Sequence, residues 1–158
     1  MSDCIRETIA QKIATRLGTV TTANGYAVQL GTVTRPLRRG LDQVPEHLGV
    51  ILEQGQAERV EAGGAALGTE HWQQAWTAIV VLRPPDSSDT SWSGWVNAVE
   101  AAVRKAFYTD RTLGGYAISL VVGAPGDVLA EDGSWEGTEI DVIVEYRTDE
   151  DDPYSLPS

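Results

Sequence analysis

HWQQAWTAIVVLR, residues 71–83, and TEIDVIVEYRT, residues 138–148, decide the fold of this chain. In the second stretch Ile140, Val142, Val144 and Tyr146 alternate with Glu139, Asp141, Glu145 and Arg147. In the first, Trp72, Trp76, Ala78, Val80 and Leu82 fall on one side of a two-residue period, and Ala75, Ile79 and Val81 on the other. Successive side chains of a strand point to opposite faces, so this period marks half-buried strands. Between the two stretches the chain reads as further architecture. Pro84-Pro85 closes the first strand, because proline brings no amide donor to a ladder. Asp86–Ser91 supplies N-cap candidates. Trp92, Trp95, Val96, Val99, Val103, Ala106 and Phe107 then recur at three- and four-residue spacing, the stripe of a helix lying on a sheet. Gly114-Gly115 is expected to stop that helix, and Tyr116, Ile118, Leu120 and Val122 to form the next strand. GAPGDVLAEDGSWEG reads as a long loop with room for a short extra strand, before a final strand over 138–147. None of these elements carries a recognisable chemical motif.

Working back towards the N-terminus, Ile5, Ile9, Ile13 and Leu17 repeat every four residues, backed by Ala10 and Ala14. They predict an opening helix capped by Ser2 or Asp3 and ended by Gly18 as a C′ glycine. Asn24-Gly25 turns into a strand through Tyr26, Val28 and Leu30, reaching Arg35 before Pro36. Leu48–Glu53 reads as a short strand, and Gly63, Gly64 and Gly68 punctuate a linker. The fold class is therefore α+β: a mixed, mainly antiparallel sheet with two amphipathic helices packed on one face. Residues 1–148 form a single domain, and 149–158 an acidic flexible tail.

A chain of 158 residues buries roughly 70% of its unfolded surface and needs no disulfide or metal to fold. Its net charge of −11 is unusual, and removing Asp149, Glu150, Asp151 and Asp152 still leaves an acidic body. Such a surface repels phosphates and argues against sequence-independent DNA binding. A lone Cys4 favours a reducing compartment. MSDCIRETIAQ lacks the apolar core of a secretory signal, and no apolar run approaches the roughly 20 residues of a membrane helix. The expectation is a soluble cytoplasmic chain.

Cys4, His47 and His71 are the soft metal donors, but no CxxC or HxxxH spacing pre-organises an ion, so the histidines read as surface residues. Gly133-Ser134-Trp135-Glu136-Gly137 misses the nucleophile elbow because glycine adjoins the serine. Gly63-Gly64-Ala65-Ala66-Leu67-Gly68 lacks the dinucleotide order and leads towards a strand. Asp127, Glu131, Asp132 and Glu136 surround Trp135, a pattern that suits a small carbohydrate-active site if one carboxyl is buried. Solvated loop acids are the plainer account. Trp76, Trp92 and Trp95 lie on apolar stripes and read as core. Arg35, Arg38 and Arg39 form the basic cluster RPLRRG, read either as a contact with a neighbouring copy's carboxylates or as a solvated loop. No catalytic residue, cofactor or metal is assigned.

The segments IRETIAQKIATRL, WTAIVVLRP, WVNAVEAAVRKAF and TEIDVIVEYR, spread over nearly the whole chain, give it a layout that resembles the tail terminator proteins of long-tailed, siphovirus-like bacteriophages. The likeness is of size and element order, so it carries over no functional residue. It implies a structural virion protein, not an enzyme, that forms a hexameric ring at the neck and is assembled in the host cytoplasm. The ring caps the tail tube protein, stops its polymerisation and offers a docking face to the head-side connector protein. DNA passes through the lumen without specific binding. On this reading Glu139, Asp141 and Glu145 are candidates for an acidic ring or lumen surface, and Arg35, Arg38 and Arg39 for inter-subunit or partner contacts. The alternatives are another neck component, such as a head–tail joining or stopper protein, and, from a different class, a small carbohydrate-active enzyme or a binding module. Reversing Arg38 and Arg39 together to Glu is expected to weaken ring formation or docking while the monomer stays folded. Sedimentation and tube-capping assays read this directly, and wild-type assembly by the double variant removes the loop's role.

Overall fold

The computed structural model describes residues 3–35, 49–60, 68–82, 91–129 and 135–157. Its elements run α1 (Ile5–Gly18), β1 (Thr32–Thr34), β2 (Gly49–Arg59), β3 (Thr69–Leu82), α2 (Trp92–Tyr108), β4 (Ser119–Leu129) and β5 (Glu136–Asp149). One mixed sheet has the order β1-β2-β3-β5-β4. Among the described residues only the β1–β2 pair is parallel. The α+β class expected from the sequence is the class observed, and one continuous core joins both helices to the same face of the sheet.

The two diagnostic stretches lie side by side at the sheet's centre, with Trp72 opposite Tyr146, Trp76 opposite Val142 and Val80 opposite Thr138. Their helix-facing residues Trp76, Ala78, Val80, Ile140, Val142 and Val144 are all buried against Ile9, Ile13 and Leu17 of α1 and Val99, Val103 and Phe107 of α2. Ile79 and Val81 face the other way and bury with Ile51 and Trp135 in a smaller cluster. β3 is therefore apolar on both faces for its last turn-free stretch, whereas β5 is acidic on one.

Several local expectations are corrected. The Tyr26–Arg35 strand shrinks to Thr32–Thr34. Upstream, the Thr21 hydroxyl accepts from the Asn24 N–H, a 3-10 turn covers Thr22–Asn24, and Gly25 closes it in the left-handed region at φ 81°. The turn expected at Asn24-Gly25 is thus a capped 3-10 turn, and Leu30 is tied to α1's end through its N–H to Val20 O at 3.1 Å. Cys4, not Ser2 or Asp3, holds the N-cap position of α1, without a side-chain cap bond. Gly18 stays inside the helix, and Thr19 caps it. The second helix stops at Tyr108 with Thr109 as cap, before Gly114-Gly115. The strand expected at 48–53 runs on to Arg59, through a bulge between Gln54 and Ala57. The loop expected after Val122 is instead a continuation of β4, carried past Pro125 by a second bulge. A bulge adds an unpaired residue without ending the ladder, which is why Gly and Pro there did not terminate the strand.

The tail also differs from a free segment. The Ile5 N–H donates to Pro153 O at 3.1 Å, so the tail's carbonyl satisfies one of the unpaired amides at the start of α1. Asp149 and Glu150 donate their amides to Ser155 O and Gly68 O at 3.2 and 2.8 Å.

Gly137 has a packing role. A Cβ there would lie 2.6 Å from Val80 O, inside the central strand pair, whereas one on Gly18 would meet nothing within 4 Å. Gly137→Ala is expected to cost on the order of 1–3 kcal/mol by forcing β3 and β5 apart. Gly18→Ala is expected to stabilise by about 0.5–1 kcal/mol through lost backbone entropy in the unfolded chain. Urea unfolding midpoints of the two variants should move in opposite directions.

Candidate functional site

The fold separates the candidate residues between two faces. Glu139, Asp141 and Glu145 lie on the face opposite the helices, as their alternation with Ile140, Val142, Val144 and Tyr146 requires. Glu139 and Asp141 are exposed, and Glu145 is half-buried. Asp141 accepts from the Thr77 hydroxyl at 2.6 Å across the β3–β5 pair. Glu145 accepts from Ser119 Oγ at 3.3 Å and stands 3.8 Å from His71 Nε2. His71 is not a surface histidine. Its side chain is 12% exposed, and neither ring nitrogen has a hydrogen-bond partner among the described residues.

Arg35 does not project as a free contact. Its guanidinium forks onto Glu7, Nη1 to Oε1 at 2.5 Å and Nη2 to Oε2 at 2.9 Å, tying β1 to α1. These charge-assisted bonds raise the Arg35 pKa and lower that of Glu7, in each case chiefly through the direct hydrogen bond between them. The inter-subunit role expected for Arg35 is thereby redirected to an internal tie. Arg38, Arg39, His47, Glu131 and Asp132 lie outside the described residues.

The carbohydrate constellation is not assembled as its spacing suggested. Trp135 is 7% exposed and packs on Ile51, Ile79 and Val81, so its ring offers no open platform. Asp127 pairs with Thr138 on the opposite, helix-bearing face and accepts from Trp92 Nε1 at 3.4 Å. Trp92 and Trp95 stack with ring centroids 6.0 Å apart and are half-buried. Among the described residues no group of three His, Cys, Asp or Glu is placed to hold a metal ion. Cys4 and His71 stand on opposite sides of the sheet, Cys4 with Trp72 and Tyr146, His71 beside Glu145.

A polar chain that the sequence did not reveal links α1, β5, β3 and β2. Arg6 Nε donates to the Tyr146 hydroxyl at 3.0 Å. That hydroxyl donates to Gln74 Oε1 at 3.3 Å, and Gln74 Nε2 donates to Gly55 O at 2.6 Å. Burial pushes the Tyr146 pKa up, against the pull of the Arg6 guanidinium. The Arg6 guanidinium also stands 5.8 Å from the Trp72 ring centroid. A cleft of about 310 Å³ opens beside them, lined by Cys4, Thr148 and Tyr154 among others. Its signal was present as a tyrosine and a glutamine on apolar faces, but a polar residue in such a stripe does not name its partner.

Comparison with models of known protein families and with curated proteins finds no match to this chain.

The turn after α2 contains a carboxylate held well below its ordinary pKa. Asp110 accepts from the Thr112 hydroxyl and N–H at 2.7 and 2.9 Å and from the Gly114 N–H at 2.8 Å, with Arg16 at 3.4 Å. Those bonds, that from the Thr112 hydroxyl foremost, lower its pKa from 3.8 to about 2. A depressed carboxylate pKa contributes stability above the unfolded value, which is lost as pH falls through the folded one. Asp110→Ala is therefore expected to destabilise the protein at neutral pH, with the gap to wild type closing between pH 3.8 and about 2. Urea titrations across that window check it; a gap independent of pH contradicts the assignment.

Proposed function

We propose that this protein is a tail terminator of a long-tailed bacteriophage, a structural ring component that caps the tail tube and stops its growth. The observation that supports this reading best is the one-sided architecture. Both helices cover a single face of a five-stranded sheet, and the other face carries exposed Glu139 and Asp141 with no helix over it among the described residues. A broad, regular face on a rigid sheet suits repeated protein contacts. The element order and the two diagnostic strands carry the resemblance in layout on which the name rests.

The mechanism is steric. One side of the ring reproduces the contacts of a tube subunit and binds the last ring of the tube, while the other offers no further addition site. Heterologous contacts close into a ring when the rotation between copies permits. The negative charge of the chain, −11 per copy, disfavours adhesion of passing DNA. Screening limits that repulsion to about 8 Å at physiological salt, so the residues lining the lumen set it. The carbohydrate-active alternative loses its platform with the burial of Trp135.

The deciding experiment mixes purified protein with polymerising tail tube protein of the same phage and images the product by negative stain. Tubes with a density at one end and arrested growth are the expected outcome. Uncapped tubes whose length is unchanged refute the reading, and binding to the head-side connector alone reassigns the chain to another neck component.

A further inference from the structure

Three cations on the helix side have aromatic rings for neighbours. Lys12 Nζ lies 4.8 Å from the Tyr116 ring centroid, Lys105 Nζ 4.9 Å from that of Tyr26, and Arg111 Cζ 4.0 Å from that of Tyr108. Among the described residues none of the three has a carboxylate within 4.0 Å, whereas Arg16 and Arg104 are paired with Asp110 and Glu100. Lys105 and Arg111 lie at the C-terminal end of α2, and Lys12, midway along α1, lines a cleft with Arg16 and Asp110 beside the turn that follows α2. Arg16 ties the two helices together by donating to Ala106 O and Thr109 Oγ1, both at 3.1 Å. Held over rings, these charges are positioned but not neutralised.

The opposite face of the sheet shows the converse at one end, several residues along β5 from the exposed Arg147 on that same face. Glu53, Glu139 and Asp141 share that face, and among the described residues none has a cation within 4.0 Å. The ground around the last two is low. Their side chains lie over Gly126 and Gly123, at 3.3 and 3.5 Å from where a Cβ would stand, and Ala75 and Thr77 are small. Val121, 50% exposed beside Ile143, adds an apolar contact. Sheet and helices separate the two charge sets, so they cannot meet within one copy.

We propose that the helix side of one copy, through Lys12, Lys105 and Arg111, docks on the acidic open face of the next, and that this is the repeating contact between copies. Two unlike surfaces of the same chain then meet in a front-to-back, heterologous manner, which propagates until it closes. The proposal rests on the ring reading for its closed form, and it assigns Glu139 and Asp141 to the seam between subunits.

Sedimentation velocity of the full chain tests it with two variants, Lys12→Glu/Lys105→Glu/Arg111→Glu and Glu139→Lys/Asp141→Lys. Wild type is expected to self-associate, with a dissociation constant that rises with salt. Each variant alone is expected to dissociate roughly tenfold more readily, or more, from the loss of several exposed pairs. Mixed in equal amounts, the two should associate again, because each then presents a face complementary to the other. That rescue also shows that both variants fold, as does an unchanged circular dichroism spectrum. A monomeric wild type, two variants that associate like wild type, or a mixture that fails to associate each overturns the proposal. The tube-capping assay separates the two ideas: charge-reversed variants that still form rings and cap tubes refute this interface and leave the terminator reading standing.

Discussion

The fourteen-residue antiparallel pairing of β3 with β5, running from Thr69 opposite Asp149 to Leu82 opposite Glu136, sets the position of every other element. Its helix-facing side supplies Trp76, Val80, Ile140, Val142, Val144 and Tyr146 to the core on which both helices bury their stripes, joined there by Val50 and Leu52 of β2 and Leu120 and Val122 of β4. β2 and β4 attach to the flanks of this pair, each with a bulge that relieves its register. Gly137 leaves no room for a side chain within the pair, where a Cβ would lie 2.6 Å from Val80 O. Apolar burial provides the bulk of the driving force, and the ladder fixes its geometry.

Around that pair, polar groups serve as ties. The Arg6–Tyr146–Gln74–Gly55 chain crosses from α1 to the bulge in β2 and satisfies groups that burial would otherwise penalise. Arg35 fastens β1 to α1 through Glu7, and Pro153 O accepts from the first amide of α1. Trp72 Nε1 donates to Thr148 Oγ1 at 3.2 Å, carrying the ties to the end of β5. β4's outward groups are covered from α2: Tyr108 accepts from the Val122 N–H and Arg104 reaches Gly123 O, so this edge is poorly suited to adding a strand. Among the described residues, Lys12, Lys105 and Arg111 on the helix side have no carboxylate within 4.0 Å, and Glu53, Glu139 and Asp141 on the open sheet face have no cation. A molecule polar in this sense has a reason to stack front to back.

Strands, helices and their inward faces were legible because burial imposes a period, and the period is written in Ile140, Val142, Val144 and Tyr146 and in Ile5, Ile9, Ile13 and Leu17. Ends were less legible. Gly114 and Gly115 look like helix stops but belong to a left-handed turn organised by Asp110, and Gly123 and Pro125 look like a loop but sit in a bulged strand. Glycine and proline report a local backbone requirement, and the same requirement arises in a turn, a bulge or a close approach.

The sequence by itself determined the α+β class, the central strands, the two helices on one face and the acidic outward row of β5, since each follows from periodicity and composition along the chain. Only the tertiary structure decided which polar residues meet. Arg35 turned inward to Glu7, Trp135 went into a small core, His71 became largely enclosed, and three cations settled over tyrosines rather than carboxylates. The physical reason is range. Hydrophobic alternation is a property of neighbours in sequence, whereas ion pairs, hydrogen bonds and ring contacts join residues many positions apart, and their partners exist only once the sheet has brought them together.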